Sequence, residues 1–235
     1  MNSYRVEVAI FAIALTVFGL VALALVWSGD WAYAALANFN GVTQTYFLIG
    51  GALDTRRVET PLDVAIVISW HHAWAAYVTG VSSLPAISWG PDPVWSNDEV
   101  AHMADVRAVF RGAEAVALLA FVVAAFRVVR ARRRRDALRL VRAGAVVAAG
   151  IVAVIGVVAV FAFDPLFLLF HEVFFPQGNF LFDPATSNLL RLYPEWYWQG
   201  VTAGVGVSFI AVTLLAAGAA HVALRRRSNT YTRAA

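Results

Sequence analysis

The stretch RVVRARRRRDALRLVRAGAVVAAGIVAVIGVVAVFAF, residues 127–163, decides the fold of this chain. A cluster of arginines leads without a break into an uncharged apolar run, residues 143–163. At about 1.5 Å of rise per residue, a helix of this length crosses the roughly 30 Å hydrocarbon core of a bilayer. The residues therefore predict a transmembrane helix with a strongly basic flank.

Three further apolar runs have the composition of membrane spans: residues 8–29, 112–129 and 196–224. The first is longer than the apolar region of a typical signal peptide, which favours an uncleaved helix. We therefore predict an all-α, polytopic membrane protein with four transmembrane helices, built as a single membrane domain over residues 1–235.

The composition agrees with this class and excludes several others. Hydrophobic residue types make up 60% of the chain and charged types 14%, whereas soluble domains have about half and about a quarter. There is no cysteine, which excludes disulfides, thiolate nucleophiles and cysteine-ligated metals. There is no lysine either, so Schiff-base chemistry on a lysine is excluded. The small net charge of +3 does not indicate nucleic-acid binding.

Positive charges flank the predicted spans unevenly. Arginines crowd the connection between spans two and three, and others precede span one and follow span four: Arg5, Arg127, Arg130, Arg132–Arg135, Arg139, Arg142, Arg225–Arg227 and Arg233. The positive-inside rule places these three regions, and so both termini, in the cytoplasm. The outer segments are then residues 30–111 and 164–195. The run at 132–135 is better explained as a topology anchor on anionic lipid than as a nucleic-acid contact.

The outer segments are too apolar to be ordinary water-facing loops. Trp70 and Trp74 in the first segment are typical of headgroup depth, so we expect interfacial helices there. In the second segment, Asp164 with Pro165 forms an N-cap pair for a short helix ending near Phe175, too short to cross a bilayer. A second pair, Asp183 with Pro184, predicts another short helix that stops before Tyr193.

Two histidines in the outer segments could carry chemistry. Ser96 and Glu99 have the spacing of a capping box, so a helix is expected to begin just before His102. Asp105 lies three residues after His102 on the same helix face, where a carboxylate can orient an imidazole. The alternative is an ordinary solvated ion pair. His171 lies among phenylalanines at membrane depth, which is costly unless it has a partner or a function.

The remaining histidines have simpler interpretations. His71 and His72 stand beside tryptophans and fit interfacial positions, whereas His221 near the end of span four suits the C-terminal pole of a helix. No GxSxG elbow, glycine-rich phosphate loop or HExxH motif is present.

Three stretches, in this order, resemble motifs of one known family: DEVAHMADVR at 98–107, FHEVFFPQGNFLFD at 170–183 and LLRLYPE at 189–195. The family is the lipoprotein intramolecular transacylases (Lit), bacterial integral membrane proteins. The resemblance implies an acyltransferase of the plasma membrane whose active site lies on the extracytoplasmic face. Its implied substrate is a diacylated lipoprotein embedded among membrane lipids, with no cofactor, no metal and no nucleic acid.

The resemblance also implies a reaction and roles for named residues. The sn-2 acyl chain of the diacylglyceryl-cysteine moves to the α-amino group of the same cysteine, which leaves an N-acyl lyso-lipoprotein. His102 and His171 are the implied catalytic pair. Asp105 is implied to orient His102, Asn179 to donate to the oxyanion, and Glu99 and Arg107 to bind the headgroup side or brace the site.

The predicted residues suit this chemistry. An α-amino group with a pKa of about 8 must lose a proton before it attacks an ester, and a histidine near neutral pKa can accept that proton. Since donor and acceptor belong to one molecule, correct positioning supplies much of the acceleration. No protein nucleophile is required.

Two other functions remain open from the sequence. His102 and His171, with either His71 or His72 and with Asp105, could form a zinc site with an open position, which would make the chain a metal-dependent lipid hydrolase. A non-enzymatic transporter or accessory subunit is the other alternative, although few charged residues fall inside the predicted spans.

Overall fold

The computed structural model describes residues 3–50, 57–83, 88–89 and 92–233. Within these ranges the chain forms eight helices and two short antiparallel hairpins. In chain order the elements are α1 Ser3–Trp27, α2 Asp30–Phe39, β1 Gln44–Ile49, β2 Val58–Asp63, α3 Val64–Val78, β3 Ser88–Trp89, β4 Asp92–Pro93, α4 Asn97–Arg133, α5 Ala137–Phe161, α6 Phe163–Phe174, α7 Asn188–Leu192 and α8 Glu195–Arg233.

Four of these helices, α1, α4, α5 and α8, are long and apolar enough to cross a membrane. They coincide with the four predicted spans, so the all-α polytopic prediction is confirmed. Helix α4 extends beyond its apolar run at both ends, most of all at its N-terminal end, and α8 extends beyond its run at its C-terminal end. These extensions place residues 97–111 on the same continuous helix as the second span.

Contacts divide the chain into two units. The first contains the described residues of 1–24, 113–161 and 203–235, and the second contains residues 25–112 and 162–202. Three of the long helices contribute residues to both units. That the whole chain is one membrane domain stays a prediction.

The first unit packs through small residues. A Cβ atom added at Gly144 would collide with the ring of Phe11, and one added at Gly19 would lie 2.5 Å from the ring of Phe209. Such close helix approach is typical of membrane proteins, in which dispersion contacts replace the hydrophobic effect. Large apolar side chains face outward instead: Leu118 is 64% exposed and Leu215 is 73% exposed. An outer surface of this kind suits lipid.

An aromatic core fills the second unit. Trp74 and Phe47 are fully buried, and the rings of Trp70 and Trp95 lie 5.7 Å apart. Trp70 and Trp74 were predicted as headgroup anchors, and that interpretation is wrong, because tertiary packing encloses both side chains. The fully buried side-chain amide of Asn188 hydrogen-bonds to backbone groups around it.

Asn188 connects three segments. Its Nδ2 donates to the carbonyls of Leu48 at 2.9 Å and Val94 at 2.8 Å, and its Oδ1 accepts from the Leu48 N–H at 2.8 Å. The fully paired, buried amide therefore holds β1 and the segment that precedes α4 against α7.

The short helices of the second outer segment differ in detail from the prediction. Helix α6 begins at Phe163, one residue before Asp164. Residues 183–187 form turns, and α7 begins only at Asn188 because the Ser187 hydroxyl caps it by accepting from the Leu190 N–H at 3.2 Å. The antiparallel pairing of β1 with β2 was not predicted.

Candidate active site

The capping box at the start of α4 places His102. The Ser96 N–H donates to Glu99 at 2.8 Å, and the Glu99 N–H donates to the Ser96 hydroxyl at 3.1 Å. The Glu99 carboxylate is only 1% exposed, and its second oxygen accepts from the Ser187 hydroxyl and the Leu189 N–H, each at 2.7 Å. Glu99 therefore ties the turn that precedes His102 to the start of α7. This contact set fits the bracing role rather than a headgroup contact.

The two predicted histidines lie together. The rings of His102 and His171 are nearly parallel, at 19°, with centroids 6.1 Å apart. Phe175 packs against both rings, at 4.7 Å from His102 and 5.5 Å from His171. Phe182 lies 5.5 Å from His102, and Phe180 lies 5.2 Å from His171. The imidazole pair therefore stands in an apolar, aromatic surrounding.

One hydrogen bond defines the tautomer of His171. Its Nδ1 lies 2.8 Å from the carbonyl oxygen of Phe167, one turn earlier on α6. Since a carbonyl can only accept, Nδ1 carries the proton, and Nε2 of the neutral ring holds a lone pair. Burial lowers the pKa of His171, and the bond to Phe167 opposes this only in part. At neutral pH the ring is a neutral base.

His102 is more enclosed and has an unsatisfied ring nitrogen. The residue is 6% exposed, and among the described residues Nδ1 has no hydrogen-bond partner. A buried polar atom without a partner costs about 1–3 kcal/mol. A ligand that supplied the missing partner would recover that free energy.

Asp105 accepts hydrogen bonds from the loop that follows α6. Its Oδ2 accepts from Asn179 Nδ2 at 2.6 Å and from Gln177 Nε2 at 2.7 Å. The Asn179 side chain also interacts with the imidazole of His102, as does the charge of Asp105. Asn179 therefore connects the carboxylate to the ring, and Asp105 reaches His102 through charge and through this amide.

The loop geometry depends on one glycine. Gly178 has φ +76°, a left-handed conformation that side chains other than glycine rarely adopt. Its N–H donates to the Phe175 carbonyl at 2.9 Å, which closes the turn. The turn directs the neighbouring side chains of Gln177 and Asn179 onto the same carboxylate oxygen.

Arg107 lies away from the histidine pair. Its Nη1 donates to the carbonyls of Ser82 and Ser83, each at 3.0 Å, and its guanidinium lies 4.7 Å from the centre of the Tyr77 ring. Of the two roles considered for Arg107, this arrangement fits bracing: the side chain holds the segment after α3.

The other histidines of this unit have separate partners. His71 is buried; its Nε2 donates to the Ser28 carbonyl at 3.0 Å, its Nδ1 lies 3.3 Å from the Tyr193 hydroxyl, and burial lowers its pKa. His72 pairs with Asp30 at 2.8 Å on the surface. Both therefore fit structural positions.

The ligand set named for a zinc hydrolase is not assembled. Across residues 3–50, 57–83, 88–89 and 92–233, no group of three or more histidine, aspartate and glutamate side chains is placed to hold a metal ion. His171, His71, His72 and Asp105 of this set each hydrogen-bond to other groups.

Sequence reasoning missed Gln177 as a member of the site. It shares with Asn179 the bond to Asp105, and its Nε2 also lies 3.2 Å from Asn179 Oδ1. The signal was present, because both amides lie in the PQGN segment of the motif that carries His171. Neither spacing nor composition could assign Asp105 to them.

Known proteins give three comparisons. A family described as lipoprotein intramolecular transacylase Lit matches residues 85–198. A comparison with curated protein sequences gives no match. The solved structure of the membrane integral lipoprotein intramolecular transacylase Lit from Bacillus cereus is similar over 100% of this chain and 99% of its own, with TM-score 0.69 and 14% identity.

Two variants of the Bacillus cereus protein with a substituted histidine are also similar. Each matches 97% of this chain, covering 95% and 96% of its own, with TM-score 0.71 and identities of 14% and 13%. At this identity the likeness shows the fold.

Fold and site together describe an integral membrane protein with four helices long and apolar enough to span a bilayer and with a pair of stacked histidines. Residues 85–198, which include both histidines, match the lipoprotein intramolecular transacylase (Lit) family, a family of acyltransferases. The resemblance seen in the sequence motifs is thereby confirmed.

Proposed function

We propose that this protein moves the sn-2 acyl chain of a bacterial lipoprotein from the diacylglyceryl group on the N-terminal cysteine to the α-amino group of that cysteine. The product is an N-acyl lyso-lipoprotein. The observation that carries the proposal is the stacked pair of His102 and His171, with the Nε2 of His171 held as the free base by the Phe167 carbonyl.

In the proposed reaction, His171 is the base. Its Nε2 accepts a proton from the substrate amine, and the amine nitrogen attacks the sn-2 ester carbonyl. The tetrahedral intermediate then collapses: the carbon–oxygen bond of the ester breaks, an amide remains, and the glycerol oxygen takes the proton back from His171. Atoms and protons balance without water, cofactor or protein nucleophile.

His102 and Asn179 are the proposed groups that stabilise the oxyanion. Asn179 has two amide hydrogens and gives one to Asp105 at 2.6 Å. His102 takes this part as the tautomer whose Nδ1, which has no partner among the described residues, carries the ring proton and donates it to the oxyanion. Donors already held in place before the reaction stabilise developing charge most effectively. Asp105 is a positioning residue in this scheme, because it holds the loop that carries Asn179.

The apolar side chains on α6 are the proposed contact for the acyl chains. Leu168, Leu169, Phe170 and Phe174 are all exposed, on the helix that carries His171. A lipid substrate would cover such a surface and bring its ester to the imidazole pair.

The orientation is also part of the proposal. Both termini and the arginine-rich connection between α4 and α5 lie in the cytoplasm, so residues 30–111 and 164–195, with the site, lie on the extracytoplasmic face. The distribution of arginines supports this placement.

The test is mass spectrometry of a synthetic diacylated lipopeptide incubated with the purified protein in lipid. The expected product has unchanged mass, with one acyl group moved from glycerol to the cysteine nitrogen. His171→Ala should abolish this product, whereas His72→Ala, a surface histidine paired with Asp30, serves as the matched control.

Three results would contradict the proposal. A product lighter by one acyl chain, lost on treatment with a chelator, would indicate the metal-dependent hydrolase. Unmodified substrate with wild-type protein, or full transfer by a His102→Ala, His171→Ala double variant, would favour another substrate or a non-enzymatic role.

A further inference from the structure

A basic cavity in the first unit has no part in the proposed reaction. It measures about 680 Å³ and is lined by the first turn of α1, the start of α5 and the last turns of α8. The lining includes Arg139, Arg142, Arg225, His221, Tyr4 and Ser228. The proposed catalytic residues all belong to the second unit.

The cavity is rich in hydrogen-bond donors. Arg142 Nη1 lies 3.3 Å from His221 Nδ1, and since a guanidinium can only donate, Nδ1 accepts. The proton of the neutral imidazole is then on Nε2. His221 therefore adds an N–H donor beside the guanidinium of Arg142. The predicted structural role of His221 does not account for this contact.

The charge of the lining is positive. Three arginines stand against one acid, Asp136, which leaves an excess of two positive charges. Asp136 lies 3.9 Å from Arg139 in an exposed pair, a contact of small energetic value. Arg142 and Arg225 therefore dominate the field within the cavity.

A phosphate group is the ligand that such a lining recognises. Guanidinium groups match phosphate oxygens with two parallel hydrogen bonds, and basic pockets between transmembrane helices bind the headgroups of anionic lipids. The alternative ligands, carboxylates and halides, use fewer of the donors. The helices that form the cavity are candidate membrane spans: the apolar run of α5 begins directly after Arg142, and that of α8 ends directly before Arg225.

We propose that the cavity formed by Arg139, Arg142, His221 and Arg225 binds the phosphate group of an anionic molecule. Two sources offer this chemistry, the headgroup of an acidic phospholipid and a soluble phosphate ester. The position of these residues at the ends of spans favours the lipid. The binding is independent of the proposed acyl transfer.

Native mass spectrometry of the full chain in detergent tests this inference. The probes are phosphatidylglycerol, phosphatidylcholine and the acyl-free sn-glycerol 1-phosphate. The test variant is Arg142→Gln, Arg225→Gln; the matched control is Arg132→Gln, Arg133→Gln, which removes the same charge from exposed arginines outside the cavity.

We expect one phosphatidylglycerol to bind saturably and at least tenfold more tightly than phosphatidylcholine. The cavity variant should bind it about thirtyfold more weakly, and the control variant within about threefold of wild type. Single Arg142→Gln, with an expected loss of about fivefold, keeps the test usable if the double variant does not fold.

Three results would overturn the proposal in whole or in part. Equal losses in the two double variants would show that diffuse charge, and not the cavity, attracts the lipid. Equal binding of phosphatidylglycerol and phosphatidylcholine would exclude recognition of an anion. Binding of sn-glycerol 1-phosphate as tight as that of the lipid would support the phosphate site but reject the membrane as its source.

Discussion

The Glu99 carboxylate hydrogen-bonds to two separate segments of the site, so Glu99→Ala tests directly whether these bonds stabilise the fold of the site. Its carboxylate accepts from the Ser187 hydroxyl and the Leu189 N–H, both buried and at 2.7 Å, and from the Ser96 N–H at 2.8 Å. Alanine would leave all three donors without this acceptor, and two of them are buried.

The expected loss follows from these contacts. A hydrogen bond to a charged acceptor contributes about 1.5–3 kcal/mol, so the two buried donors alone account for about 3–6 kcal/mol of unfolding free energy. Loss of the capping box at the start of α4 adds about 1 kcal/mol. Glu99→Gln retains one acceptor oxygen and should lose roughly half as much.

Chemical unfolding in mixed micelles measures this difference. Glu172→Ala is the matched control, since that side chain is exposed and an exposed substitution is worth within about 0.5 kcal/mol. Acyl transfer should fall in Glu99→Ala together with stability, because the turn that places His102 loses its anchor. A loss for Glu99→Ala no larger than that of the control would refute the bracing role.

Three further predictions concern the reaction and the orientation. Burial lowers the pKa of His171, and the neutral ring is the active base. Because the substrate amine, with a pKa of about 8, is also protonated as pH falls, the rate is divided by the fraction of neutral amine at each pH. The corrected rate should persist below pH 6.5 and fall only as pH drops through the lowered pKa of His171; a midpoint of the corrected profile above 6.5 would contradict this. Asp105→Ala should reduce the rate of acyl transfer about a hundredfold, because the loop amides lose their acceptor. Asp105→Asn keeps one acceptor oxygen and should reduce the rate about tenfold. If both variants transferred the acyl chain of a lipopeptide at the wild-type rate, positioning by this carboxylate would be excluded. The chain has no cysteine, so a single introduced cysteine reports the side of the membrane on which it lies. Val81→Cys, on the outer side, should react with an impermeant maleimide in intact cells, whereas Arg132→Cys, on the cytoplasmic side, should react only after lysis. The reverse pattern would show that the proposed topology is inverted.

Local sequence was sufficient for the membrane spans and for some caps. A helix in lipid satisfies its own backbone hydrogen bonds, so an apolar run of adequate length is almost the whole signal. The Ser96–Glu99 capping box was also predicted correctly, because its two residues lie within one helical turn of each other.

Local patterns failed where the outcome depended on distant partners. The pairing of Gln44–Ile49 with Val58–Asp63 was missed, because a short hairpin takes its stability from the aromatic core on which it packs. A tryptophan at the membrane interface and one in a protein core have the same local sequence pattern. Only the tertiary packing showed that Trp70 and Trp74 belong to the core. The start of α7 at Asn188 depended on Ser187, whose hydroxyl also bonds to Glu99.

Sequence alone was enough to predict four membrane spans, to show a resemblance to an acyltransferase family, and to select His102 and His171 as the candidate catalytic pair. Only the tertiary structure decided that their rings stack, that Phe167 sets the tautomer of His171, and that Asp105 holds Gln177 and Asn179. The difference lies in how far apart the interacting residues are in the sequence. Membrane spans and helix caps depend on residues close to one another in the chain. The candidate site depends on side chains from distant segments, which meet only once the loop at Gly178 has folded back.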